Sequence, residues 1–139
     1  MTHPRICVIG LGRFGSSLAG ELARRGCRVT VIDRDSKAVE TLADLVDKAV
    51  IADVTARGAL ETLHLRDFDS VCVATGRELL PFLAVANAIG SDRLSRIHCR
   101  AGDGPQRFML ERLGIEHVME VEKQAASHVA DELCAVGKP

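Results

Sequence analysis

The sequence predicts a three-layer α/β fold in which a six-stranded parallel sheet is covered by helices on both faces. Two observations carry this prediction. Short, apolar, β-branched runs alternate with amphipathic segments of helical period along the whole chain, and a glycine-rich turn joins the first run to the first amphipathic segment. Such alternation is typical of βαβ units, whose parallel strands are buried on both faces. With a switch between the first and fourth strands, the expected strand order is 3-2-1-4-5-6, the doubly wound Rossmann order.

Each element follows from a local pattern. Gly26 ends the first helix, Asp35 or Ser36 caps the second, and Pro81 fits the fourth only in its first turn. A third helix, which Thr55 can cap, is expected to carry Leu60 and Leu63. The expected strands are 6–9, 29–32, 50–53, 70–74, 97–101 and 115–119, and the remaining helices are 13–25, 36–46, 78–89, 105–113 and 122–136.

A G-x-G-x-x-G sequence follows the first strand. Gly10 allows a sharp turn, Gly12 leaves room for a pyrophosphate, and Gly15 lets the helix pack close to the strand. The N–H groups and positive dipole end of that helix then face the phosphates, and Arg13 adds a charge-assisted contact. Asp33, at the end of the second strand, is placed to accept hydrogen bonds from an adenosine ribose. The pattern therefore predicts binding of an adenine nucleotide or dinucleotide.

The ends of two further strands are expected beside this turn. Ligands of doubly wound sheets bind outside the carboxyl ends of the strands, at the switch point. This places Asp53 and the pair Thr75-Gly76 in the same crevice as Asp33. The charge of Asp33 disfavours the 2′-phosphate of NADP, whereas Arg34 beside it opposes that preference. ATP/ADP and NAD/NADH stay open as alternatives.

Composition narrows the class of protein. The chain has 139 residues, enough for one domain, and a formal net charge of −1, which predicts no nucleic-acid partner. Its apolar runs are too short to insert into a membrane, and no secretory signal precedes the first strand. Five cysteines without C-x-x-C spacing indicate a reducing, cytosolic compartment and no zinc site.

No catalytic arrangement is visible beside the predicted binding site. The elements use almost every residue, no Ser-His-Asp or Cys-His set occurs, and His98 and Glu120 are isolated. We therefore expect a ligand sensor and not an enzyme. Two alternatives stay open: the cofactor-binding domain of a small NAD-dependent oxidoreductase, and an oligomerisation module with a vestigial site.

Residues 7–15, Cys-Val-Ile-Gly-Leu-Gly-Arg-Phe-Gly, resemble the N-terminal RCK domain of Trk/Ktr-type potassium-uptake regulatory subunits, also called the TrkA-N or KTN domain. Arg13-Phe14 inside the glycine loop is more specific than the general fingerprint. Residues 52–55, Ala-Asp-Val-Thr, resemble the Gly-Asp-x-Thr strand end of the family, and residues 113–123 resemble its segment before the final helix. The resemblance covers nearly the whole chain.

The resemblance implies a cytosolic regulator at the inner face of the cell membrane, bound to a potassium channel or transporter subunit. Bound ATP, ADP, NAD or NADH would open or close the ion path. It also implies self-association to a dimer and an octameric ring. Residues 1–120 would form the nucleotide-binding domain and residues 121–139 a crossover helix for dimerisation, with no C-terminal RCK subdomain.

The resemblance also implies roles for single residues. Arg13 would lie near a terminal phosphate, Asp53 near the adenine, and Arg100 at the end of the fifth strand, facing the nucleotide. Glu122 matches an acidic position that helps to bind a divalent cation such as Mg²⁺ in some members. The residues that pattern and resemblance together assign to the nucleotide are Gly10, Gly12, Arg13, Phe14, Gly15, Asp33, Arg34, Asp53, Val54, Thr75, Gly76 and Arg100.

Overall fold

A computed structural model describes residues 3–136, in which six strands alternate with helices along the chain. The strands are β1 (Arg5–Ile9), β2 (Arg28–Asp33), β3 (Lys48–Ile51), β4 (Ser70–Val73), β5 (Ile97–Arg100) and β6 (His117–Met119). The α-helices are α1 (Arg13–Arg24), α2 (Ser36–Leu42), α3 (Leu80–Ile89), α4 (Gly104–Arg112) and α5 (Val121–Ala135). Short 3₁₀ turns occupy Glu61–Leu63, Leu65–Asp67 and Ser91–Arg96.

The strands form one parallel sheet in the order β3-β2-β1-β4-β5-β6, which confirms the predicted Rossmann topology. β1 lies at the centre, where Ile9 is in register with Ile32 of β2 and with Val73 of β4. The strand order reverses between β1 and β4: β2 and β3 lie on one side of β1, and β4, β5 and β6 lie on the other. Parallel strands leave their carboxyl ends at one edge, so the turns after β1, β2, β3 and β4 gather there.

Two apolar cores cover the two faces of the sheet. Because side chains alternate along a strand, Cys7 and Ile9 of β1 point into one core and Val8 points into the other. The first core also takes side chains of α3 and α4, and the second those of α1 and α2. Cys7, Cys72 and Cys99 are buried free thiols, and burial raises the pKa of each to about 12. They therefore act as small apolar residues.

One predicted helix is absent from the described chain. The expected helix after Thr55 is wrong: residues 61–67 form two 3₁₀ turns. Gly58 and His64 have φ angles of +79° and +49°, and left-handed residues interrupt a right-handed helix. Leu60 is nevertheless buried in the first core.

Other boundaries shift by a few residues. α2 ends at Leu42 and not near Val46, because Asp47 turns the chain into β3: its N–H donates to the carbonyl of Val29 and its carboxylate accepts from the Val29 N–H at 2.7 Å. β6 is shorter than predicted and begins at His117. Pro81 lies in the first turn of α3, as predicted.

The final helix does not pack on the rest of the chain. Residues 122–136 are all exposed, including Val129 and Leu133 on the predicted apolar stripe. The last three residues of the predicted crossover segment, 137–139, lie outside the described residues. Within residues 3–136, no helix combines the length and the apolar character needed to cross a bilayer.

Gly15 brings the start of α1 into contact with the end of β1. A Cβ atom on Gly15 would lie 1.8 Å from the carbonyl oxygen of Gly10, which no side chain can accommodate without moving the backbone. Gly10 itself has a φ of +94°, which favours glycine. These two glycines therefore fix how closely the helix approaches the strand.

We expect Gly15→Ala to lower the free energy of unfolding by about 3 kcal/mol, the upper end of the usual cost of overpacking. Urea denaturation measures this loss. Gly20→Ala on the same helix is the matched control: its nearest neighbour is a flexible Arg24 side chain at 3.8 Å. That control should gain about 0.5–1 kcal/mol from helix propensity. Wild-type stability in Gly15→Ala would contradict the close approach.

Candidate functional site

A cavity of about 360 Å³ opens at the carboxyl ends of the strands, at the point where the strand order reverses between β1 and β4. This is the position at which doubly wound folds bind ligands. Of the residues assigned to the nucleotide from the sequence, those lining it are Gly10, Gly12, Asp33, Arg34, Asp53, Val54, Thr75, Gly76 and Arg100. The fold thus brings them to one place, while their contact with a ligand remains a prediction.

Asp33 ties the glycine turn to the end of β2. Its Oδ2 accepts the N–H of Leu11 at 2.7 Å and its Oδ1 accepts the N–H of Asp35 at 2.8 Å. A carboxylate offers about four acceptor directions, so each oxygen keeps a second one. The bonds hold the carboxylate at the cavity wall, with acceptor directions left over for the donors of a ligand.

The start of α1 leaves open space beside the turn. No atom lies within 4 Å of the position that a Cβ on Gly12 would occupy, apart from its chain neighbours. Since the first N–H groups of a helix have no partner within it, the first turn of α1 offers donors on this side of the cavity. Open space, free donors and a positive dipole end together fit an anionic group.

Three predicted residues are not among those that line the cavity. Arg13 is exposed at the first position of α1. Phe14 is half-buried beneath the guanidinium of Arg100, and Gly15 is buried behind the turn. Gly15 therefore shapes the site through packing, and the Phe14 ring contacts Arg100, which lines the cavity.

Asp53 lines the cavity just beyond the end of β3, the neighbour of β2. Its Oδ1 accepts both the N–H of Thr55 at 2.9 Å and the hydroxyl of Thr55 at 2.6 Å. These bonds from Thr55 hold the pKa of Asp53 below its usual value, with a smaller contribution from the charge of Arg34. Asp53 is thus an ionised acceptor, and Thr55 serves it as a donor instead of capping a helix.

Arg100 closes the side of the cavity towards β5. One Nη donates to a carboxylate oxygen of Glu122, and the guanidinium carbon lies 5.8 Å from the centre of the Phe14 ring, a cation–π distance. Its Nε is buried and has no hydrogen-bond partner within residues 3–136. An unpaired buried donor is costly, so an anionic ligand group beside Arg100 would relieve that cost. The residues present therefore fit a phosphate-bearing ligand.

Glu122, the predicted cation ligand, pairs with Arg100. Its pKa lies below the usual value, chiefly because of a hydrogen bond from its own backbone N–H and then because of the Arg100 charge. Within residues 3–136, no group of three or more His, Cys, Asp or Glu side chains is arranged to hold a metal ion. A cation at Glu122 would need further ligands, such as phosphate oxygens.

Sequence reasoning missed part of the cavity wall. The strand ends supply small and apolar lining residues, which carry no ligand signature of their own. Glu78 and Pro81 line the wall between β4 and α3. Their position directly after the fourth strand end was the available signal. The missed lining residues are Ile9, Leu11, Ile32, Ala52, Thr55, Ala74, Glu78 and Pro81.

A second groove of about 650 Å³ lies between residues 54–67 and α3. It is larger than the strand-end cavity, but the guanidinium of Arg66 within it is already paired with Asp92 at 3.0 Å and with the carbonyl of Ile89 at 2.8 Å. The strand-end cavity, with the glycine turn and the unsatisfied Arg100 Nε, is the better ligand site.

The fold and the strand-end cavity define a doubly wound α/β domain with a ligand-sized cavity at the switch point of the sheet. Comparison with known families identifies the particular family of this domain. The chain belongs to the TrkA-N domain family, whose family model matches residues 6–121. The resemblance drawn from the glycine loop is thereby confirmed.

Curated relatives of the chain carry potassium-uptake names. Ktr system potassium uptake protein C of Bacillus subtilis is 31% identical over 126 residues, which are 91% of this chain and 57% of the relative. Ktr system potassium uptake protein A of the same organism is 30% identical over 131 residues, 94% of this chain and 59% of the relative. The chain thus spans less than two thirds of the length of either relative.

Solved structures show the same fold at lower sequence identity. The TrkA-N domain of inner membrane protein ybaL from Escherichia coli superposes with a TM-score of 0.78 at 19% identity, over 95% of this chain and 98% of that one. The Kef CTD of Shewanella denitrificans in AMP-bound form gives 0.72 at 19% identity, over 96% and 82%. The GsuK channel bound to NAD gives 0.64 at 14% identity, over 86% and 22%.

Proposed function

We propose that the chain is the nucleotide-sensing domain of a regulator that gates a potassium channel or transporter from the cytoplasmic side of the cell membrane. The observation that carries the proposal is the cavity between the Asp33-anchored glycine turn and Arg100. The potassium-uptake names of the Ktr relatives support the transport role. As a regulator, the domain acts by shifting between conformations when ligand binds.

The ligand we propose is an adenine nucleotide, ATP/ADP or NAD/NADH. The ribose hydroxyls donate to the Asp33 carboxylate, and the phosphates lie at the first turn of α1 with Arg100 on their far side. The adenine lies beside Asp53 and Val54, at the end of β3. AMP in the Kef structure and NAD in the GsuK structure, both of the same fold, support an adenine-containing ligand.

The phosphates are also where a divalent cation would bind. Phosphate oxygens and a carboxylate are the oxygen ligands that Mg²⁺ prefers. We propose that a cation binds at Glu122 only together with the nucleotide, because without a ligand the Glu122 carboxylate is paired with Arg100.

The partner we propose is the membrane subunit of a potassium-uptake system, together with further copies of this chain. Apolar residues on α5 lie in solvent, with Leu133 68% exposed, and exposed apolar surface at a helix commonly marks an interface. Residues 121–139 thus form the proposed crossover segment of a dimer, and dimers would assemble into a ring.

We expect ADP, ATP, NAD or NADH to raise the melting temperature of the purified chain, because a ligand that binds only the folded state stabilises it by mass action. At a ligand concentration of about 100 times Kd the gain is about 2.7 kcal/mol. NADP should give less, since its 2′-phosphate would meet the Asp33 carboxylate. Differential scanning fluorimetry, with and without Mg²⁺, measures the shifts.

Asp33→Asn should weaken binding of the best ligand about tenfold or more, because a hydrogen bond to a charged group contributes about 1.5–3 kcal/mol. The matched control is Asp44→Asn, a carboxylate exposed at the end of α2. Melting of both variants without ligand separates loss of binding from loss of folding. No shift with any of these ligands would contradict the proposed nucleotide sensor.

The transport role has its own test in the organism that encodes the chain. Chromosomal Asp33→Asn should alter the rate of rubidium influx, a tracer for potassium, in cells transferred to low-potassium medium, whereas Asp44→Asn should not. A regulator that has lost its ligand no longer responds to it, so the direction of the change also shows whether the ligand activates or inhibits. Identical influx in both variants and wild type would contradict a role in potassium transport.

A further inference from the structure

Arg100 touches three parts of the molecule at once. It lines the cavity, its guanidinium faces the Phe14 ring on α1, and one Nη binds Glu122 on α5. Glu122 lies 22 positions further along the chain, in the first turn of α5. A single side chain thus joins the proposed phosphate position to the base of the projecting helix.

The two partners of this ion pair differ in how firmly they are held. The Arg100 side chain is 21% exposed and is fixed between β5 and Phe14, whereas the Glu122 side chain is 71% exposed. No residue from 122 to 136 is buried. Glu122 is therefore the member that moves when the pair separates.

A phosphate at Arg100 would bring a second negative charge to the same guanidinium. Arginine binds phosphate with paired N–H donors, and the buried Nε adds a donor that has no partner within residues 3–136. Two like charges at hydrogen-bond distance from one cation repel each other. The exposed carboxylate then gains more from water than from the shared guanidinium.

We propose that Glu122 is a competing counter-ion for Arg100, which a ligand phosphate displaces, so that the first turn of α5 is released when the cavity fills and no divalent cation bridges Glu122 to the phosphates. The inference rests on the proposed function, because it requires a phosphate-bearing ligand. It makes Glu122 a specificity determinant: only a ligand whose phosphates reach Arg100 separates the pair. Adenosine, which has no phosphate, leaves it intact.

The part of the chain that is released begins after Glu120. Glu120, directly before α5, binds Arg107 of α4 at 3.3 Å, and its side chain is only 16% exposed. This second ion pair does not border the cavity, because Arg107 and Glu120 are not among the lining residues. The junction between β6 and α5 thus stays attached while the helix beyond it changes its contacts.

Linkage requires that the competition act in both directions. Removing the Glu122 charge should therefore tighten phosphate-bearing ligands, by about two- to fivefold, the range expected for a largely exposed ion pair. Isothermal titration calorimetry in EDTA measures ADP and adenosine binding without a cation bridge. Glu122→Gln should tighten ADP and leave adenosine unchanged.

Glu132→Gln is the matched control for this titration. Glu132 lies on the same helix and is 67% exposed, with His128 as its partner in place of Arg100. It should bind both ligands as wild type does. Circular dichroism of each variant confirms that the helix content is unchanged.

Hydrogen exchange measures the helix directly. In wild type, ADP should speed amide exchange at residues 124–126, which have the first intrahelical acceptors of α5, whereas in Glu122→Gln these amides should exchange fast with and without ADP. The proposed competition is contradicted if wild type binds ADP but Glu122→Gln binds it equally or more weakly. It is also contradicted if ADP binds and leaves amide exchange in wild type unchanged. In either case the proposed nucleotide sensor is unaffected. If wild type binds none of ADP, ATP and NAD, both proposals fail.

Discussion

The contact between Gly15 and the carbonyl of Gly10 is the constraint on which the site depends. Because α1 begins against the end of β1, its first N–H groups face the edge of the sheet where the strands end. The same turn directs the N–H of Leu11 to Asp33, which fixes the carboxylate at the end of β2. One close approach of backbone to backbone thus positions the helix dipole, the cavity wall and the proposed ribose acceptor together.

Charge is divided unevenly around the cavity. Asp33 and Asp53 stand at the ends of β2 and β3, and Arg100 stands at the end of β5. A nucleoside presents hydroxyl and amino donors, and its phosphates present only acceptors and negative charge. Arg34 and Glu78 also line the cavity, so the difference rests on single residues. The acceptors Asp33 and Asp53 suit the nucleoside, and Arg100 suits the phosphates. Arg100 also joins its end of the cavity to α5 through Glu122.

The sequence was sufficient to predict those features that depend on a local pattern of residues. The glycine turn, Asp33 and the alternation of strands and helices each depend on residues close together in the chain, and the structure agrees with the fold predicted from them. The helix predicted after β3 was wrong for a conformational reason: the left-handed residues Gly58 and His64 end any helix there. Histidine gives little warning of this, because few non-glycine residues adopt a positive φ, although histidine does so more often than most.

Contacts between distant residues were beyond sequence reasoning. Arg100 and Glu122 were each singled out, as a residue facing the nucleotide and as a cation ligand, but nothing in the sequence pairs them. Thr55 was similarly identified for a different role, as a helix cap and not as the donor that lowers the pKa of Asp53. Which polar groups meet is decided by packing, whereas which elements form is largely decided by local pattern.

A crystal structure of the chain grown with ADP tests most directly whether the strand-end cavity is a nucleotide site. The ribose hydroxyls should lie within hydrogen-bond distance of the Asp33 carboxylate, and the phosphates should lie between the first turn of α1 and Arg100. An ADP molecule bound elsewhere on the chain, or one in the cavity with its ribose away from Asp33, would contradict the proposed site.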